Sequence, residues 1–526
     1  MSRGILISAL LLSIILLAGM GFPATAIRNE SEWFPDRPAY GAAETAKSGL
    51  SDRVRGEAIQ QRRFQDKLQP CRIAPFDEDM FCGTYRVSED RGSRDGRTIS
   101  LNIVVMPATG SEVDPDPVVF LAGGGVVPAT RYMGMMNRLF RTLRESRDIV
   151  LVDQRGTGKS NPLECPSLRG TPEPATLDSY VAALKACAVE MRKAADTRFY
   201  TTPDAMDDLD EVRAWLGYDR VNLMGVSYGT WAAQVYLRKY PAKVRSVVLH
   251  GPMPLDVSMF LDIARNAQET LDRVLDACAK DSGCNQAFPD VKSQLSPVLR
   301  RLARQPQTIA VKPEDGADAV TVRIDDLTFS NLIYAALASN RSAGDIPMFI
   351  HSAFEKRYEP IAQLLAQEAN APPPAIPPAP KGVFLSLLCA ESIPMFTQND
   401  VKGATADTFM GDFQLRSQMA QCSVWPAAKM PKAFWTAVKS DHPALILAGA
   451  LDHTTPPRYA QHLVSSFSRG RFIELPQRGH MDADLCVAGL ITSFIRSASP
   501  VDMDAACLAQ TPPLRFRGMT RQPQRQ

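Results

Sequence analysis

The chain has no excess of either charge. Its 59 Lys and Arg stand against 57 Asp and Glu, a formal net charge of +2. Without a basic or acidic excess there is no electrostatic reason to expect nucleic acid or an anionic membrane as partner. Histidine is scarce, with six residues in 526. No two of the ten cysteines have C-x-x-C spacing, which argues against a zinc or thioredoxin-like site. Proline (40) outnumbers glycine (32), but with no collagen-like period. After the N-terminal segment no apolar stretch is long enough to cross a bilayer. Internal repeats and blocks of like charge are absent too. What is present is ordinary for a globular protein: 45% hydrophobic and 22% charged residues. At about 100–200 residues per domain the length allows about three domains, and one large α/β domain with an insertion fits as well.

The N-terminus reads as a targeting segment. Arg3 gives a short positive region, Ile5 to Met20 is an apolar run, and Ala24-Thr25-Ala26 is a small-residue cleavage site. Residues 1–26 are expected to be a secretory signal peptide, with an uncleaved anchor as the alternative. The mature chain is then secreted or periplasmic, with no membrane contact after cleavage. An oxidising compartment gives the even number of cysteines a meaning as disulfides. Nearest-neighbour pairing joins Cys71–Cys82, Cys165–Cys187, Cys278–Cys284, Cys389–Cys422 and Cys486–Cys507, although sequence alone leaves connectivity open.

Thr98 to Val105 alternates apolar and polar residues, the pattern of a half-buried strand. Short apolar runs follow at Pro117–Ala122, Asp148–Val152, Val221–Gly225, Val244–His250, Ala444–Ala448 and Arg471–Leu475. These suit strands covered on both faces of a parallel sheet. Asp204 to Leu216 is expected to be a helix, with Thr202 as N-cap, Pro203 at its start and Gly217 at its stop. A second helix spans Tyr228 to Lys239 and ends before Pro241. The alternation predicts a mostly parallel, doubly wound α/β fold. Between Gly251 and Asp441 the strand pattern lapses into helical segments, such as Met259–Lys280 and Leu327–Ala338, and the Pro-rich run Ala371–Pro380. The expected organisation is a signal at 1–26, a core at 27–250, a largely helical cap at 251–441 and a returning core at 442–526.

Gly225-Val226-Ser227-Tyr228-Gly229 matches G-x-S-x-G between a strand and a helix. There a sharp turn lifts the serine hydroxyl above the sheet. The partners should follow as acid, then histidine, each after a late strand. Asp452 follows Ala444–Leu451, and His480 follows the next strand in Gly479-His480-Met481. His453 adjoins the proposed acid and cannot be oriented by it across a site. Asp482 and Asp484 are weaker acids, since no strand directly precedes them. The oxyanion needs an amide from Tyr228, after the nucleophile, and another from a loop after an early strand. Gly123-Gly124-Gly125-Val126 is that loop, and Gly124 and Gly125 are the candidate donors. The tail Gly158-Lys159-Ser160 imitates a phosphate loop, but Asp153 stands where the first glycine should be and Asn-Pro follows instead of a helix. No metal and no cofactor is called for.

Together these strings resemble the prolyl aminopeptidase and tripeptidyl aminopeptidase group of serine α/β-hydrolases. The resemblance rests on Phe120-Leu-Ala-Gly-Gly-Gly125, Asp153-Gln-Arg-Gly-Thr-Gly158, Gly225-Val-Ser-Tyr-Gly229, Asp452 with Thr455-Pro456, and Gly479-His480. Asp-Gln-Arg-Gly-x-Gly is the most selective of them. Cys389-Ala390-Glu391, Cys422 and Cys486 look like the secreted tripeptidyl-aminopeptidase-like branch. The resemblance implies Ser227 as nucleophile, Asp452 as acid, His480 as base, and cleavage near the N-terminus of short peptides under a helical cap. One departure stands out: Gly125 and Val126 occupy the positions of Pro and Gly in the group's Gly-Gly-Pro-Gly. An exopeptidase must recognise a free α-ammonium, and Glu391 is the candidate counter-charge; its bland reading is a surface carboxylate beside a disulfide. The substrate is expected to be a peptide or a small ester, because an esterase uses the same triad. A non-catalytic binding protein on a hydrolase scaffold is the remaining alternative.

Overall fold

The computed structural model describes residues 64–517 apart from 65, 75, 77, 94–95, 166–167, 169–175, 313–318 and 371–380, together with Leu6–Ile7. The expected signal segment, except that pair, and the Pro-rich run therefore lie outside the described residues. Twelve strands follow in chain order: β1 Leu6–Ile7, β2 Gln69–Cys71, β3 Met80–Ser88, β4 Thr98–Met106, β5 Val118–Leu121, β6 Ile149–Val152, β7 Val221–Val226, β8 Val244–His250, β9 Gln307–Val311, β10 Val320–Ile324, β11 Ala444–Gly449 and β12 Gly470–Leu475.

Nine of them form one sheet in the order β12-β11-β8-β7-β5-β6-β4-β3-β2. From β12 to β6 all pairs are parallel, whereas β4, β3 and β2 add antiparallel pairs at one edge. The central strands are buried on both faces, which explains their unbroken apolar sequence. Leu445 and Leu447 pack into one core with Val118, Phe120, Leu151, Val487 and Phe494. Ile446 and Ala448 face the other core, with Val119, Leu121, Leu223 and Leu249. Helices cover both sides, so the sheet is doubly wound. Strand β3 is covered mainly on one face: its pattern runs from buried Met80 and Phe81 to exposed Thr84 and Arg86.

The helix Thr202–Leu216 starts earlier than its sequence suggests. Its N-cap is Thr201, which accepts from the Asp204 N–H, and not Thr202. The Thr202 hydroxyl is already committed, donating to Glu391. Gly217 ends this helix in the left-handed conformation, at φ 91°. Tyr228–Lys239 and Met259–Lys280 run as the sequence indicates. Between β8 and β11 the chain is mainly helical but also holds the antiparallel pair β9–β10, beside which β1 runs parallel. Five disulfides join the nearest-neighbour pairs: Cys71–Cys82, Cys165–Cys187, Cys278–Cys284, Cys389–Cys422 and Cys486–Cys507. No helix among the described residues is long and apolar enough to cross a membrane.

Candidate active site

Ser227 stands between β7 and the helix Tyr228–Lys239 at φ 51° and ψ −121°, a strained conformation for a residue with a side chain. The turn closes because its flanks are glycines. A Cβ on Gly229 would overlap the Leu121 carbonyl at the end of β5, so no larger residue fits there. The Ser227 N–H donates to the His250 carbonyl (2.9 Å), which pins the elbow to β8.

The Ser227 hydroxyl is 3.0 Å from His480 Nε2, and His480 Nδ1 is 2.8 Å from Asp452 Oδ2. The chain thus runs from hydroxyl to imidazole to carboxylate, with Ser227 and Asp452 both buried. Asp452 follows β11, and its carboxylate is saturated. The N–H groups of Thr454 (2.9 Å) and Thr455 (2.7 Å) donate to Oδ1, and the Thr455 hydroxyl donates to Oδ2 (2.7 Å). Burial alone would raise this carboxyl. The charge of His480 and its hydrogen bond, with the Thr455 N–H, outweigh burial and hold it below the usual range. An acid kept ionised in that place fixes the ring with Nδ1 protonated and Nε2 free to accept. Thr455, also 3.2 Å from His480 Nδ1, thus touches both Asp452 and His480, a placement that the sequence showed only as part of a string.

The rival residues have other tasks. His453 is buried edge-on to the Tyr334 ring, and burial pushes it down to about 4. Asp482 accepts from the Gly479 N–H (2.8 Å) and shapes the histidine loop. Asp484 caps the helix Leu485–Ser497 and pairs with Arg478.

The glycine loop lies against the elbow. A Cβ on Gly123 would sit 3.3 Å from that of Ser227. Gly124 and Gly125 are both left-handed, at φ 73° and 68°. Proline cannot adopt that φ, so Gly125 here is tied to a loop path different from that of Gly-Gly-Pro-Gly. A Cβ on Gly125 would also come within 2.8 Å of Leu387 and 3.4 Å of the Tyr228 ring. Tyr228 is the first residue of its helix, and an N–H there has no intrahelical partner.

Glu391 departs from both of its sequence readings. It is neither on the surface nor open to a substrate ammonium. Only 2% exposed, it lies in a turn of π-helix at Leu388–Ser392. Oε1 accepts from the Thr202 N–H (2.6 Å); Oε2 accepts from the Thr202 hydroxyl (2.6 Å) and Trp231 Nε1 (3.1 Å). Carboxylates are usually exposed; here three donors, all distant in sequence, permit its burial.

Arg155, centre of the most selective string, touches none of Ser227, Asp452 or His480. Its buried guanidinium grips Asp208 at 2.6 and 2.7 Å and donates to the carbonyls of Ser88, Glu89 and Phe199. It is a clamp between the β3 end and the helix Thr202–Leu216. No helix begins at Lys159 or Ser160, so the phosphate-loop likeness ends there. Among the described residues no cluster of His, Cys, Asp and Glu has metal-binding form.

A family model described as the alpha/beta hydrolase fold matches residues 116–485. Over 470 residues the chain is 23% identical to serine protease Hip1 of Mycobacterium tuberculosis, covering 81% of this chain and 87% of that protein. It is 27% identical over 185 residues to the tripeptidyl aminopeptidase of Streptomyces lividans, covering 32% of this chain and 34% of that one. Among solved structures, the proline iminopeptidase of Mycobacterium smegmatis superposes with a TM-score of 0.36 at 16% identity, over 79% of this chain and 98% of that one.

Proposed function

Given that the chain belongs to the alpha/beta hydrolase fold family, we propose that it is an exported serine hydrolase of the peptidase type, an aminopeptidase that releases short N-terminal peptides or single N-terminal residues through an acyl-enzyme. The observation that carries this reading is the unbroken chain Ser227–His480–Asp452 at 3.0 and 2.8 Å. Ser227 attacks the scissile carbonyl carbon while His480 Nε2 takes the hydroxyl proton. The carbonyl oxygen becomes an oxyanion, received by the amides of Tyr228 and of Gly124 or Gly125. His480 then returns its proton to the leaving amine, the acyl group stays on Ser227, and water releases it by the reverse sequence. Asp452 stays ionised and holds the imidazolium. The names of the similar proteins, a serine protease and an aminopeptidase, support a peptide as substrate. The paired cysteines support export.

One observation favours an esterase as second reading. The engagement of Glu391 takes away the carboxylate that the sequence offered to a free α-ammonium. A panel of N-terminally free peptide amides, N-blocked peptide amides and short acyl esters separates the readings. Faster turnover of free than of blocked peptides is the expected result. Preference for blocked peptides, or turnover of esters alone, would remove the aminopeptidase reading. Labelling by a fluorophosphonate that is lost in Ser227→Ala tests the nucleophile itself.

A further inference from the structure

Glu391 is a buried acid for which the triad has no use. It closes a chain of hydrogen bonds that runs in one direction. The Gln154 amide donates to the Tyr228 hydroxyl (3.2 Å), and that hydroxyl lies 2.7 Å from the Thr202 hydroxyl. Thr202 donates in turn to Glu391 Oε2. Because Thr202 has one proton and gives it to Glu391, Tyr228 must be the donor in the middle step. The chain therefore ends on an acceptor with no proton of its own. Trp231, on the same helix as Tyr228, donates to that oxygen as well.

Cap and elbow also meet at a second place. Leu387, four residues before Glu391, sits where a side chain on Gly125 would be. The segment is tied down by the Cys389–Cys422 disulfide and by Trp435 Nε1, which donates to the Glu391 carbonyl (2.6 Å). One short piece of the cap thus bears on the glycine loop and on the residue after the nucleophile.

We propose that Glu391 is a positioning residue: as a carboxylate it anchors Thr202 and Tyr228 and thereby fixes the Tyr228 amide at the developing oxyanion. This inference rests on the serine-hydrolase reading above. The anchor needs an acceptor at both oxygens, since each faces an N–H donor. An amide could not replace it, because its NH2 would oppose one of those donors in either orientation. Protonation would set a proton against the Thr202 hydroxyl or the Thr202 N–H and break the direction of the chain.

The charged and titratable groups facing Glu391 are Asp204 from the helix Thr202–Leu216 and the Tyr228 phenol from the elbow helix. Burial, reinforced by Asp204, pushes the Glu391 carboxyl up to about 7 against the lowering effect of its donors. Protonation of Glu391 near that value should therefore lower kcat in a step, and the step should vanish when the carboxyl is removed or the chain is cut.

The experiment compares wild type, Glu391→Gln and Tyr228→Phe on one turned-over substrate across pH, with circular dichroism to verify folding. Folded Glu391→Gln should lose kcat on the order of 10- to 100-fold, less than the 10²–10³ of losing an oxyanion donor outright. KM should stay within about threefold, as expected when only transition-state binding changes, and the step in kcat near pH 7 should disappear. Tyr228→Phe, which cuts the chain but keeps Glu391, should lose the step as well. Wild-type kcat in folded Glu391→Gln overturns the proposal. So does a loss of kcat that keeps the step, which assigns a structural role only. If Glu391→Gln does not fold, Tyr228→Phe decides: unchanged kcat or a retained step overturns the proposal, and reduced kcat without the step supports it. Failure of a fluorophosphonate to label wild type at Ser227 would remove the hydrolase reading and this inference together. Labelling beside an indifferent Glu391→Gln would remove this inference alone.

Discussion

At the scale of the residue, the burial of Asp452 and its neighbours sets both activity and acid stability. Asp452→Asn keeps the shape of the carboxylate but can present an NH2 to His480 Nδ1, which favours the wrong tautomer. Turnover should fall on the order of 10⁴-fold with the fold intact; steady-state kinetics on a folded variant with near wild-type kcat would contradict the triad. Ser227→Ala should be at least as severe. The pH dependence of stability follows from other groups. Burial, and then the neighbouring His480 charge, push His250 down from 6.5 to about 4; burial lowers His453 from 6.5 to about 4 as well. Between those values the unfolded chain binds protons that the folded one refuses, so stability is lost as pH falls from about 6.5 to about 4, by roughly 3 kcal/mol for each ring. Glu391 acts in the opposite sense. Its carboxyl is raised from 4.5 to about 7, so the fold loses stability as pH rises between those values. Asp452, held below 3.8, contributes stability that is lost only below that value. Burial raises Asp204, Asp345 and Asp482 as well, and these act in the same sense as Glu391. The rings are therefore read by difference: between about pH 6.5 and 4, His453→Gln should lose less stability to urea than wild type, and an unchanged profile in that variant would refute the assignment.

At the scale of the element, adjacent threonines at the start of the helix Thr202–Leu216 do different work. Thr201 caps the helix, and Thr202 holds Glu391. Thr201→Ala should cost about 1 kcal/mol of stability, the usual value of an N-cap, and leave kcat unaltered. Thr202→Val should spare the cap but lower kcat, because it removes the hydroxyl between Glu391 and Tyr228. Chemical denaturation and kinetics of the two variants side by side check this. The reverse pattern, with Thr201 affecting kcat and Thr202 only stability, would contradict it. The elbow itself is a strictly local device: strand, glycine, serine, glycine, helix. Its strain at Ser227 persists because β8 and the β5 end hold the backbone on both sides.

At the scale of the molecule, the disulfides divide by the length of chain they close. Cys389–Cys422 spans 33 residues and Cys278–Cys284 spans 6. In the chain-entropy account the longer loop should stabilise by about 1.5 kcal/mol more. Replacing both cysteines of the 389–422 pair by serine should lower the unfolding temperature further than the same change at 278–284. Because Cys389 leads into Glu391, only the longer pair should also affect kcat. Equal effects of the two removals on both readouts would contradict the proposed link between cap and elbow.

The sequence by itself determined what depends on near neighbours along the chain. The buried strands, the elbow around Ser227 and the order Ser227, Asp452, His480 were legible, because each follows from period or turn chemistry. The edge strands β2 and β3 were not, since one open face dilutes the apolar signal. The ten cysteines suggested nearest-neighbour pairs but left their connectivity open, and the structure closes it in that pattern. The cap was legible as an interruption but not in its β9–β10 pair: β10 alternates Val320, Val322 and Ile324 with Thr321 and Arg323 over only five residues, and in β9 only Val311 is buried. Only the tertiary structure decided the placement of Glu391. Its donors lie 189 and 160 residues away, at Thr202 and Trp231. A carboxylate in a sequence carries no sign of such partners, and their approach alone makes a candidate counter-charge a buried, fully engaged acceptor. Arg155 illustrates the same limit. Its string was recognisable, but its task, gripping Asp208 and three carbonyls far from the nucleophile, exists only once β3, β6 and the helix Thr202–Leu216 have packed together.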